Sequence, residues 1–144
     1  MREILFKAKH IHAMSTNKQL EGRWIEGYLC SEKYINSPEL EGEFLIDPNT
    51  ICQFTGVYDK NGNKIWENDI CSVLLIHSNL EEERENCIVK YGRRAENFKI
   101  ELGFNIEWTK TNYLRQDICF WIENREVEVI GNIFDNPELL GGGE

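Results

Sequence analysis

The sequence predicts a mainly β protein: a small, mostly antiparallel barrel with an irregular N-terminal region and little helix. Three observations lead there. Residues 98–108 place six large apolar side chains (Phe98, Ile100, Leu102, Phe104, Ile106, Trp108) at every second position. A strand gathers them on one face, whereas a helix would scatter them around its circumference. Asn61-Gly62 stands between two β-like runs and supplies the backbone freedom that a tight hairpin needs. Helix evidence is thin, resting on two short runs, 78–85 and 136–140.

Taken in order, strands are expected at residues 4–8, 24–29, 43–46, 51–57, 64–66, 70–77, 87–91, 98–108, 118–122 and 127–133, all rich in Val, Ile, Phe, Tyr or Trp. The runs at 70–77 and 118–122 are nearly continuous in apolar character, as strands covered on both faces are. Asn61-Gly62 predicts a type I′ turn. Residues 91–94 read as a further turn or loop, and 124–126 as a tight connection. Residues 78–85 form either one or two helical turns capped by Ser78 or Asn79, or a solvated loop, because Leu80 is the only apolar residue there. Asn136-Pro137 has a cap residue followed by proline, the start of a short terminal turn in which Leu139 and Leu140 dock. Glycines 141–143 fray. Many short strands with tight turns favour closure, which removes exposed edges. Residues 1–48 are the N-terminal extension on or beside the barrel, and 49–144 the barrel domain.

The chain has 144 residues, a length suited to one domain with a small appendage, and its 41% hydrophobic and 28% charged content is that of a globular protein. A net charge of −9 gives no counterion release at a phosphate backbone, so nucleic acid is a disfavoured partner. The apolar run Val73-Leu74-Leu75-Ile76 is too short to span a bilayer, and Met1-Arg2-Glu3-Ile4 lacks a secretory pattern, so a cytoplasmic protein without membrane contact is expected. Cys30, Cys52, Cys71, Cys87 and Cys119 are odd in number, form no CxxC and have apolar neighbours. They read as reduced core residues.

Three stretches carry a resemblance. QFTGVYDKNGNKIWENDI (53–70) follows the pattern Q-Y/F-T-G-x-x-D-K-N-G-K-x-I-Y/W-E-G-D-I; REILFKA (2–8) follows an R-E-I-x-F-R-A opening; EVIGNIFDNPELL (128–140) follows a V-I-G-N-I-x-x-N-P-E-L-L close. Together they resemble the YopX family of phage and prophage proteins, with one departure: Asn68 stands where the family has Gly. Asn tolerates a left-handed backbone next best, so the turn is expected to persist. The resemblance implies an SH3-like barrel with an additional N-terminal region, in a bacterial host. It brings no activity and no catalytic residues with it.

Most signature positions have a structural explanation. Asn61-Gly62 turns the chain, Gly56 and Asn68 bend it, and Asp59 and Asp69 bond nearby amides. The functional alternative places Tyr58 and Trp66 as an exposed aromatic pair beside the hairpin, with Asp69 next to them, of the kind that binds peptides. Lys90-Tyr91-Gly92-Arg93-Arg94 is the one basic cluster with an aromatic, making Arg93 and Arg94 the candidates for phosphate or RNA. His10 and His12 share a strand face but lack a third ligand, so a surface pair is expected rather than a metal site. His77 has no local signature of a Cys–His pair. No P-loop, GxSxG, HExxH or GxGxxG occurs. The expected function is a non-enzymatic module that binds a protein partner or itself, without cofactor. The alternatives are a ligand-binding or enzymatic cleft between barrel and N-terminal region, and a weak nucleic-acid binder.

Overall fold

The computed structural model describes residues 4–11, 22–76, 79–96, 99–108 and 127–140. Among these the fold is mainly β: two antiparallel sheets and short 3-10 turns at Pro48–Thr50 and Pro137–Leu140. Contacts divide the chain after Gly56, whereas the sequence places the division after Pro48.

The first unit holds β1 (Phe6–Lys9), β2 (Trp24–Leu29), β3 (Tyr34–Ser37), β4 (Gly42–Leu45) and the start of β5 (Cys52–Tyr58), in the order β4-β3-β2-β1-β5. Alternation decides its two faces. Ala8, Ile25, Ile35, Phe44 and Ile46 turn inward and form a core. The partly exposed side chains Lys7, Lys9 and Trp24 and the exposed Glu26, Tyr28, Tyr34, Asn36 and Glu43 occupy the alternate positions. The N-terminal region is therefore regular, not irregular. Its strands are short, and β3 is hidden from a sequence reading because Tyr34-Ile35-Asn36-Ser37 holds a single aliphatic residue. Beyond β4 the chain returns to the end of β1. His10 bridges Ile46, and the Asp47 N–H donates to the Lys9 carbonyl at 2.9 Å.

The second unit holds the end of β5, β6 (Lys64–Trp66), β7 (Asp69–Ile76), β8 (Glu82–Glu96), β9 (Lys99–Trp108) and β10 (Val127–Asn132). Its four-stranded sheet runs β10-β7-β8-β9. Ile65, Cys71, Val73, Cys87, Val89, Phe104, Ile106, Trp108 and Val127 form its core. β8 changes partner along its length: Glu82 to Ile88 pair with β7, and Cys87 to Glu96 pair with β9. Beyond Val89, β8 and β9 continue as a two-stranded ribbon among the described residues.

Several expectations change here. No closed barrel is found among the described strands: β9 and β10 stand at the edges of their sheet, and just past β1 and β4 the chain is joined by the single His10–Ile46 bridge rather than a ladder. The acidic run is strand, not loop or helix, from Glu82 onward, because β7 supplies the ladder that local composition could not announce. Residues 91–94 lie inside β8 rather than in a turn, with Gly92 opposite Gly103. The Asn61-Gly62 hairpin forms, but only Gly62 has positive φ, at 84°. The Gly62 N–H donates to the Asp59 carbonyl, and the Asp59 N–H to the Asn63 carbonyl. That is the longer loop with one left-handed glycine instead of type I′. Strand 118–122, connection 124–126, His12, His77, Ser78, Phe98 and Cys119 lie outside the described residues.

Candidate functional site

The polar residues of the signature hairpin are engaged in building the fold. Asp59 is buried and acts as a hub. Its Oδ1 accepts the N–H groups of Asn61 (2.9 Å) and Asn63 (2.8 Å), and its Oδ2 accepts the Val129 N–H at 2.9 Å. Burial alone would raise its pKa. The Val129, Asn63 and Asn61 donors outweigh that and hold the carboxyl below its ordinary value. Asp69 is also buried, and its Oδ2 accepts the Trp66 N–H at 2.8 Å. Between Trp66 and Asp69, Asn68 adopts φ 73°. Its N–H donates to the Val89 carbonyl (2.7 Å), its carbonyl accepts the Ile133 N–H (3.1 Å), and its Oδ1 accepts Lys90 Nζ (3.3 Å). The last contact needs a side chain, which glycine would not provide.

The closing motif is engaged in the same way. Asn132 Oδ1 accepts the N–H groups of Phe134 and Asp135, both at 2.9 Å, and the Asn132 N–H donates to Asn136 Oδ1 at 3.2 Å. A Cβ on Gly131 would stand 2.5 Å from that Asn136 oxygen. Only glycine leaves the room.

The predicted site residues divide accordingly. Tyr58 is 48% exposed, but Trp66 is 4% exposed and packs inside, so the exposed aromatic pair is not formed. Ile65 and Trp66 are neighbours on β6 and both are buried, so this short strand does not divide into an inner and an outer face. The bond from Asp69 ties its end into the turn that follows. Arg93 and Arg94 lie opposite Leu102 and Glu101 on the β8–β9 ribbon, on a different strand from the hairpin group. His10 is not a surface residue. It is 2% exposed, its Nδ1–H donates to the Leu45 carbonyl at 2.6 Å, and its ring meets Phe44 edge-on. Among the described residues no group of three or more His, Cys, Asp or Glu is placed to hold a metal ion. No described helix is long and apolar enough to cross a membrane.

A different surface carries exposed aromatics. On the outer face of the first sheet, Lys7 Nζ lies 4.5 Å and Lys9 Nζ 5.5 Å from the centre of the Trp24 ring. The cations hold the ring and keep it partly in solvent. Glu26 follows on the same strand, then Tyr28 at 47% exposure, with Tyr34 at 43% on β3. Leu40 and Glu39, from the β3–β4 turn, join Arg23, Trp24 and Glu26 around a pocket of about 170 Å³. This face went unmarked by the sequence motifs because it belongs to the region expected to be irregular. The alternation in Trp24-Ile25-Glu26-Gly27-Tyr28 was the available signal.

The family model for the YopX protein matches residues 6–141. The chain belongs to the YopX family. Among solved structures it is similar to protein EF1440 from Enterococcus faecalis, with 21% identity over 97% of this chain and 99% of that one and a TM-score of 0.47. No curated protein matches. In this chain the YopX signature residues Asp59, Asp69, Asn132 and Asn136 have side chains that bond the backbone.

Proposed function

We propose that this YopX-family protein is a phage- or prophage-encoded, cytoplasmic, non-enzymatic interaction module that binds a protein partner, and that it does so through the outer face of its first sheet. The observation that carries it is the division of labour between residues. The signature polar groups are committed to turns and caps, while Trp24, Tyr28 and Tyr34 face outward beside Lys7, Lys9 and Glu26. Tyrosine and tryptophan offer large, stiff, amphipathic contact area, which is why they dominate binding hot spots. The same proposal takes the second unit for an SH3-like barrel; its antiparallel pairing and single apolar core are what support that reading.

The test is retention of a host or phage protein from lysate by the wild-type chain and by a Trp24→Ala/Tyr28→Ala/Tyr34→Ala variant of matched stability. A partner kept by the wild type and lost by the variant is expected. Equal retention by both, or no partner together with a monomer in light scattering, overturns it.

The alternative is nucleic acid at Arg93 and Arg94. Their place on a two-stranded ribbon with Lys90 and Lys99 favours it, since such ribbons fit a major groove. The net charge of −9 opposes it. Salt-sensitive retention on immobilised DNA, reduced in Arg93→Ala/Arg94→Ala, decides the matter.

A further inference from the structure

Two thiols in the second unit face each other without being joined. In the β7–β8 register Cys71 stands directly opposite Cys87. Both belong to one apolar core, both are buried, and both are free thiols. Opposed residues on antiparallel strands have Cα atoms about 4.5–5.5 Å apart and side chains on the same face, within the roughly 4.4–6.8 Å that a disulfide spans. The Cys71 backbone also reaches the Cys87 thiol, so the sulfur lies at its partner's strand and does not point away.

We propose that Cys71 and Cys87 form an oxidation-operated lock, closing the β7–β8 hairpin with an internal disulfide when the protein meets peroxide. One thiol is oxidised by hydrogen peroxide to the sulfenic acid, releasing one water. The neighbouring thiol attacks that sulfur, the S–S bond forms and a second water leaves. Two cysteines lose two hydrogens in total and one peroxide is reduced to two waters.

The surroundings set the rate. Burial pushes the Cys71 thiol well above its ordinary range and the Cys87 thiol up to about 12. Little thiolate is present in the closed sheet, so the first oxidation follows transient opening of the hairpin. Once either sulfur is oxidised, reclosure brings the second thiol against it. The exposed Cys30 has no cysteine opposite it in the described registers and serves as the internal comparison.

Peptide mapping of the folded full chain after hydrogen peroxide treatment tests this. The expected product is a peptide joining Cys71 to Cys87, with loss of two hydrogens, reversal by a thiol reductant and a melting temperature raised by several degrees, as closing a hairpin loop produces. The same treatment of a Cys30→Ser/Cys52→Ser/Cys119→Ser chain should still give it. Cys71 and Cys87 left as thiols while Cys30 oxidises, a link from either to another cysteine, sulfinic acid at these two positions, or a lowered melting temperature would each overturn it. Because the wild-type chain answers the question by itself, failure of the variant to fold leaves the test intact.

Discussion

At the scale of single residues, Asp59 shows how a signature position acts. One carboxylate receives donors from its own turn and from β10, fixing the hairpin to the sheet. Asp59→Asn should lower stability by about 1–3 kcal/mol, because the amide turns one accepting atom into a donor that faces other donors. Denaturant melts measure it. The pH dependence has a definite sign. A carboxyl with a lowered native pKa contributes fully above its ordinary value of 3.8 and loses that contribution as pH falls through the native value. The gap between wild type and Asp59→Asn should therefore be full at neutral pH and shrink below about pH 4. Gly131→Ala forces its Cβ against Asn136 and displaces the acceptor of the Asn132 N–H. A loss of about 1–3 kcal/mol in the same melts is expected.

At the scale of elements, the two left-handed turns around β6 make a controlled pair. A methyl group added at Gly62, where φ is 84°, would meet nothing within 4 Å, so Gly62→Ala meets only backbone strain, about 1–2 kcal/mol. Asn68→Gly keeps the conformation and surrenders the contact from Lys90. It should stay within about 0.5 kcal/mol of the wild type. Equal losses in both variants, measured by thermal melts, would contradict the assignment of their roles. The type I′ expectation at Asn61-Gly62 failed for a reason at this scale. Asp59 holds the amides of Asn61 and Asn63 on one oxygen, which draws five residues into the loop where two were expected. The acidic run failed differently. Its strand character comes from the backbone ladder to β7, not from its own composition.

At the scale of the whole molecule, each unit has its own core. Gly27 is the close point of the first: a Cβ there would strike the Asn36 carbonyl carbon at 2.8 Å and the Ser37 Cα at 3.1 Å. Gly27→Ala should raise amide exchange across β1 to β4 while β7 and β8 keep their protection, as separate cooperative units do. Loss of protection in both together would show one unit instead of two.

Local pattern was enough for the mainly β class, for β2, β6, β9 and most of β4, β5, β7 and β10, for the left-handed Asn68 and for the buried Cys52, Cys71 and Cys87, because period-two alternation, turn chemistry and apolar neighbours act over a few residues. It was not enough for Cys30, which is exposed rather than in a core. The three motifs alone also pointed to the YopX family. What lay beyond them was decided by partners distant along the chain. Pairing made a strand of Glu82–Glu96, the bridge to Ile46 and the Leu45 carbonyl hold the buried His10, Trp66 packs inside with its backbone tied to Asp69, and the alternation of four short strands turned Trp24, Tyr28 and Tyr34 outward. A ladder or a core is a property of segments that meet in space, and no single segment records which neighbour it will meet.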